Sequence, residues 1–244
     1  MFNKITYQYK KNSLKGFLKK VSSYLKSILK IDENKFPKPI LIDNRTFYSQ
    51  SGQDYFVYNT IYQQKKGYFI DVGALDGIES SNTYKLEQMG WSGICIEPNP
   101  DMYDNLLNNR NCIIDNSAIS EKKKVLDFIK HIDTPAYSGF YDTNKNNNLL
   151  KYREHEIIKI KTVTLNEIIK KYKSPKFIDY IDIDVEGHEY ECIKSIDFLN
   201  FKFGLIGIEI KPEDGDRFNK IEKYLHKYGY VPLIVIGPDT FFHK

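Results

Sequence analysis

Hydrophobic and polar positions follow two rhythms along this chain, and the places where one gives way to the other mark its elements. Residues 68–72, Tyr-Phe-Ile-Asp-Val, are short, bulky and mostly apolar and stop at a glycine, the pattern of a parallel strand buried on both faces. Residues 73–77 then turn the chain, residues 80–89 read as a helix, and residues 93–96 form a second strand that ends on Glu97. This is half of a βαβ unit with an acid at the tip of its second strand. A helix over 101–108 leads to a third strand at 112–114, and residues 125–129 and 157–163 alternate as strands. Thr164 is placed to cap a helix over 165–172. Residues 177–183 and 203–210 are further strands, and a helix over 216–228 precedes a hairpin over 230–243 that turns at Gly237-Pro238.

Ahead of this regular body lies a different rhythm. Leu14, Phe17, Leu18, Val21, Leu25, Ile28 and Leu29 recur at helical spacing, with Lys15, Lys19, Lys20, Lys26 and Lys30 mostly off the stripe. Such a basic amphipathic helix has three uses: lying peripherally on an anionic membrane, packing on a partner copy in a homo-oligomer, or covering its own domain. Residues 32–39 hold two prolines and read as a linker. The organisation is therefore a leader over 1–46 and one domain over 47–244, entered through a helix over 47–64 and carrying an insert over about 131–156.

Composition narrows the classes. With 244 residues, 41% hydrophobic and 14% aromatic, the chain is long and apolar enough to bury a real core. No apolar run approaches the ~20 residues that span a bilayer, and no signal peptide is visible, so a cytoplasmic location is expected. Cys95, Cys112 and Cys192 are odd in number and widely spaced, which suits reduced structural thiols and excludes a zinc site. The net charge of +4 is unevenly held: residues 1–48 carry 11 Lys or Arg against three acids, and the rest holds 25 bases against 29 acids. An acidic body is not a DNA-binding surface.

Glycine spacing then separates two ligand classes. A dinucleotide fingerprint starting at Gly73 would need glycines where Leu75 and Ile78 stand, and Leu75 would obstruct a pyrophosphate. Glu97 keeps the right place to accept two ribose hydroxyls. An adenosine-type ligand without phosphates, with a cation near Asp71, describes S-adenosyl-L-methionine. The plain alternative is an ordinary glycine turn after an α/β strand.

Several further segments occur together: Ser49-Gln50-Ser51-Gly52-Gln53-Asp54, Phe69-Ile70-Asp71-Val72-Gly73-Ala74, Ser81-Asn82-Thr83-Tyr84, Gly90-Trp91-Ser92-Gly93, Ile96-Glu97-Pro98-Asn99-Pro100, Asn116-Ser117-Ala118-Ile119-Ser120 and Asp184-Val185-Glu186-Gly187-His188-Glu189. In this order, over about residues 47–210, they resemble the FkbM-type S-adenosylmethionine-dependent methyltransferases. The resemblance implies a Rossmann-like class I fold: a mostly parallel seven-stranded sheet, helices on both faces and an antiparallel C-terminal hairpin. It implies cofactor contacts at Gln50, Asp54, Asp71, Gly73, Ala74, Gly77, Ser81, Asn82, Glu97, Pro98, Asn116, Ser117 and Asp184. It also implies a hydroxyl acceptor, often a sugar of a glycan or its activated precursor. Ser49 or Ser51 as a helix cap, and Asp115-Asn116 as a plain turn, remain alternatives to cofactor contact.

Two stretches bear on the acceptor. The insert contains Tyr137 and Ser138, suited to stacking on and hydrogen-bonding a sugar, followed by an Asn-rich run that reads as a surface loop. Around the exit of the 177–183 strand, period two puts Asp182 and Asp184 on one side, and Glu186, His188 and Glu189 crowd the turn, with Glu209 at the end of the next strand. Glu186, His188 and Glu209 are candidate acceptor contacts. A hydroxyl needs somewhere to put its proton: His188, Asp184 and Asp182 are the candidate catalytic groups, and His188 leads because its reference pKa is nearest neutrality. The alternative is a bound Mg²⁺ or Mn²⁺ on Asp182, Asp184 or Glu209. Rival functions are an RNA or small-molecule methyltransferase, an NAD enzyme disfavoured by Leu75 and Ile78, and a non-catalytic nucleoside-binding scaffold.

Overall fold

The computed structural model describes residues 40–42, 45–63, 65–141 and 154–244. The leader helix over 10–30, the linker over 32–39 and the Asn-rich run of the insert lie outside them. A short antiparallel hairpin, β1 (Ile40–Ile42) and β2 (Arg45–Phe47), comes first. The helix expected from residue 47 starts only at α1 (Gln53–Tyr55) and widens into a π-helical turn over Phe56–Ile61. Residues 45–47 are taken by the hairpin, and Ser49 forms a parallel bridge with Ser80.

Next come β3 (Tyr68–Val72), α2 (Tyr84–Gln88), β4 (Ser92–Ile96), α3 (Pro100–Asn109) and β5 (Ile113–Asp115). The helix read from residue 80 begins four residues late. Ser80 sits in the left-handed region at φ 58°, and Ser81 Oγ accepts from the Tyr84 amide at 3.0 Å, so the loop delays the first turn. The remaining elements are β6 (Ala118–Ile119), β7 (Val125–His131), β8 (Gly139–Phe140), β9 (His155–Val163), α4 (Leu165–Lys171), β10 (Phe177–Ile183), α5 (Glu189–Lys194), β11 (Lys202–Glu209), α6 (Asp216–His226), β12 (Val231–Ile236) and β13 (Asp239–His243). Thr164 caps α4 through a full capping box with Glu167.

The main sheet runs β12-β13-β11-β10-β3-β4-β5. Its strands are parallel except β13, which inserts antiparallel between β11 and β12. This is the expected Rossmann-like class I arrangement. Alternation along each strand feeds two cores. Ile70, Ile181 and Ile206 face one side with Ile168, Ile193 and Leu225, whereas Phe69, Tyr180 and Leu205 face the other with Val57, Leu86 and Leu106. Each such fully buried side chain is worth about 1.5–3 kcal/mol of transfer energy.

Two features place a ligand. From β3 the chain moves outward to β4 and β5, and from β10 outward the other way to β11, so β3 and β10 flank the switch point where open α/β sheets bind ligands. Register sets Asp71 beside Asp182 there. Strands on either side of the insert, with β8 inside it, form a small sheet, β6-β9-β7-β8, whose Gly139 lies so near Glu186 that an added Cβ would come 3.1 Å from the Glu186 Cβ. All three cysteines are free thiols. No helix among the described residues is long and apolar enough to cross a membrane.

Candidate active site

A cavity of about 650 Å³ opens over the carboxyl ends of the central strands. Its floor is the turn after β3. Gly73 N and Ala74 N donate to Ile96 O at 2.9 and 3.1 Å, tying the turn to β4. Gly73 has φ 95°, and a Cβ there would stand 1.7 Å from Asp184 O, so this position must be glycine on two counts. Asp184 N in turn donates to Val72 O at 3.0 Å.

Glu97 is held rigidly at the tip of β4. Its carboxylate accepts from Leu75 N at 2.9 Å and from Asn99 N at 2.7 Å. Burial nevertheless pushes its carboxyl up to about 7, because those two donors only partly offset the lost water. Each oxygen retains a second lone pair for a ligand hydroxyl.

On the other side of the floor, acids accumulate. Asp71 is buried, accepts the Thr83 hydroxyl, and is raised first by burial. Asp182 accepts from the Tyr180 hydroxyl at 2.6 Å and from Asn82 Nδ2 at 3.1 Å. Asn82 Nδ2 also reaches Asp239 at 3.3 Å, and Gln53 Nε2 donates to Asp239 at 2.8 Å. Burial, with lesser repulsion from Glu209, pushes Asp239 up to about 7, and burial with neighbouring carboxylates pushes Asp182 and Asp184 well above the ordinary range. Asn82 Oδ1 is a buried acceptor that finds no donor among the described residues.

Toward the insert, Asp184, Glu186 and Glu209 bring carboxylate oxygens within 4.8 Å of one another and could hold a metal ion. Over them lies a flap from β7 to β8 that brings Tyr137, Ser138 and Phe140 to the cavity wall. Ser138 Oγ accepts from His131 N at 3.1 Å and from Asn99 Nδ2 at 3.4 Å, fastening the flap beside Glu97.

Of the residues singled out in the sequence, the cavity is lined by Gln50, Asp71, Gly73, Ala74, Ser81, Asn82, Glu97, Pro98, Ser117, Tyr137, Ser138, Asp182, Asp184, Glu186 and Glu209. Others are not on its wall. Asp54 turns inward to Ser49 Oγ and to the Tyr48 and Tyr55 amides, where burial pushes it up to about 6. Gly77 packs on Leu106 and Arg110. Asn116 donates to Glu97 O at 2.8 Å and so braces the strand tip from behind. His188 lies tilted against Phe140, ring centroids 4.5 Å apart, and meets Ser120 Oγ at 3.0 Å, behind the flap. Asp115, beside Asn116, is engaged by Lys171 Nζ and the Tyr172 hydroxyl, both at 2.7 Å. Asp184 and Glu209, two of the three candidates for a metal, lie in the close trio with Glu186, whereas Asp182 accepts from Tyr180 and Asn82.

Gln53 and Asp239 join the wall without having been candidates in the sequence. Asp239 opens β13, and its position follows only from the antiparallel insertion of that strand beside β11.

The donor set fits S-adenosylmethionine. No Lys or Arg lines the cavity among the described residues, so a pyrophosphate would find no countercharge. A sulfonium and an α-ammonium find carboxylates on the floor, and the unpartnered Asn82 Oδ1 is a ready acceptor for the ammonium. Glu97 would take the ribose.

Among curated proteins none matches the chain in sequence. Among solved structures it is similar to protein PH1948 of Pyrococcus horikoshii, at 13% identity and a TM-score of 0.42 over 93% of this chain and 96% of that one. It is similar to a precorrin-6y C5,15-methyltransferase of Geobacter metallireducens, at 13% identity and 0.40 over 88% and 95%. A human methyltransferase 10 domain containing protein gives 15% identity and 0.37 over 95% and 94%. The model of the methyltransferase FkbM domain matches residues 71–232, two-thirds of the sequence, with β4, β5, β10 and β11 of the main sheet wholly inside it. The chain belongs to the FkbM methyltransferase family.

Proposed function

We propose that this chain is an S-adenosylmethionine-dependent O-methyltransferase whose acceptor is a sugar hydroxyl, in a surface glycan or its activated precursor. The observation that carries this reading is Asp184: it lines the cavity beside the flap, and burial with Glu209 and Glu186 nearby lifts its carboxyl well above the ordinary range. A carboxylate lifted above its ordinary range is a better proton acceptor for a hydroxyl than an ordinary one. The bound cofactor supplies an electrophilic methyl group on a sulfonium. The chain's own contribution is to hold the acceptor oxygen in line, take its proton on Asp184 and keep water out. Tyr137 and Phe140 offer ring faces to a sugar, and Ser138 offers a hydroxyl. The acidic wall of Asp182, Asp184, Glu186, Glu209 and Asp239 would repel a phosphodiester, which favours a sugar over an RNA acceptor.

The test is transfer of labelled methyl from S-adenosylmethionine to a panel of oligosaccharides and RNAs. Transfer to a sugar that falls about 10²–10⁴-fold in Asp184→Asn is expected. Transfer to RNA alone would overturn the acceptor, and cofactor binding without transfer to any acceptor would favour the scaffold. Loss on chelation, restored by Mg²⁺ or Mn²⁺, would assign the carboxylate trio to a cation instead. The basic leader suits work on membrane-held precursors. Deleting residues 1–36 should abolish binding to anionic vesicles, and retained binding would sink that idea.

A further inference from the structure

We propose that Arg110, just beyond α3 and outside the cavity wall, is a positioning residue that acts through Thr83 to fix Asp71 in the cofactor site. The guanidinium is fully buried. Its Nε donates to Glu87 at 2.5 Å, Nη1 to Gly77 O at 3.0 Å and Ser81 Oγ at 3.4 Å, and Nη2 to Thr83 Oγ1 at 3.1 Å. It lies 5.5 Å from the ring centroids of both Phe69 and Tyr84. One side chain thus joins the turn after β3, the loop that carries Asn82, and α2.

Direction follows from donor chemistry. A guanidinium only donates, so toward Arg110 the Thr83 oxygen must accept. The single Thr83 proton is then free to point at Asp71, whose carboxylate accepts it. The relay Glu87–Arg110–Thr83–Asp71 therefore selects the acceptor form of Asp71 and fixes its rotamer from behind the cavity. The neighbourhood otherwise works against ionisation: Asp182 and Tyr180 face Asp71 from β10, Cys95 and Glu97 from β4, and Glu87 from α2. Arg110 is the cation that offsets burial there.

This inference rests on S-adenosylmethionine being the ligand. Calorimetric titration of the full chain with S-adenosylmethionine from pH 5.5 to 8.5 tests it, with Thr83→Val, Thr83→Ser and Arg110→Gln as variants and a thermal melt to confirm folding. Thr83→Val should bind about tenfold more weakly, the loss typical of a hydrogen bond to a charged group. Its affinity should fall away at a higher pH than in the unaltered protein as the solution is acidified. Thr83→Ser should restore both affinity and profile. If Arg110→Gln folds, combining it with Thr83→Val should add little, as expected of one coupled unit. Folded Thr83→Val with unaltered affinity and profile would overturn the relay. Absence of binding by the unaltered protein would overturn the cofactor assignment and this inference with it.

Discussion

Glu97 shows how a side chain becomes a recognition device when its freedom is taken away. With one oxygen on Leu75 N and the other on Asn99 N, the carboxylate cannot rotate, and its free lone pairs keep a fixed spacing for a vicinal diol. Glu97→Gln would turn an amide NH₂ toward one of those N–H groups, setting donor against donor. Affinity for S-adenosylhomocysteine should fall about ten- to hundredfold, the range of a hydrogen bond to a charged group, read by calorimetry. Gly73→Ala should be harsher. The added methyl meets the Asp184 carbonyl and the φ is unfavourable, so we expect loss of several kcal/mol or no folded protein in urea denaturation. Glu97, Asp71 and Gly73 are legible in the sequence because a strand that stops on glycine or acid states where its tip lies. Arg110 and Asp239 are not, because their partners lie 27 and 186 residues away and no periodicity connects them.

Elements were legible where burial dictates a period and obscure where polar loops decide. The strands at 68–72 and 177–183 fall where the apolar runs place them, and Thr164 caps α4 as expected of a threonine at that place. Replacing Thr164 by Ala should cost about 1 kcal/mol in denaturant without altering cofactor affinity, since α4 packs on the face of the sheet and its residues are not on the cavity wall. Helix onsets fared less well. The late start of α2 depends on a left-handed Ser80 and a Ser81 hydroxyl, and the π-helical turn at Phe56–Ile61 keeps the spacing of an ordinary helix too closely to be told apart. The flap depends on pairing between β7 and β9 across a long insert, a contact that local pattern cannot declare.

Over the whole molecule, the buried carboxyls set a pH response. Asp54 is pushed up to about 6, and Glu97 and Asp239 up to about 7, chiefly by burial. In the unfolded chain such groups titrate near 4, so between about pH 4 and 7 the folded protein binds more protons than the unfolded one. Stability should therefore decline as pH rises through that window and level off above it, opposite to the response of a salt-bridged acid. Thermal melts at pH 5.5 and 8 should show the lower midpoint at pH 8. S-adenosylmethionine, bringing positive charge to the floor, should narrow that difference and release protons on binding, measured by calorimetry in buffers of different ionisation enthalpy.

The seam between the turns after β3 and β10 has a consequence for traffic. Val72 O holds the Asp184 amide, and the Asp184 carbonyl presses against a glycine that leaves no spare room. A doorway cannot open along a line sewn that tightly. We expect molecules to come and go past the flap, which meets Asn99 through Ser138, Glu186 through Gly139 and His188 through Phe140. Deuterium exchange should find the Asp184 amide among the slowest on the cavity rim and the amides around Ser138 among the fastest, with the ligand slowing the second set far more than the first.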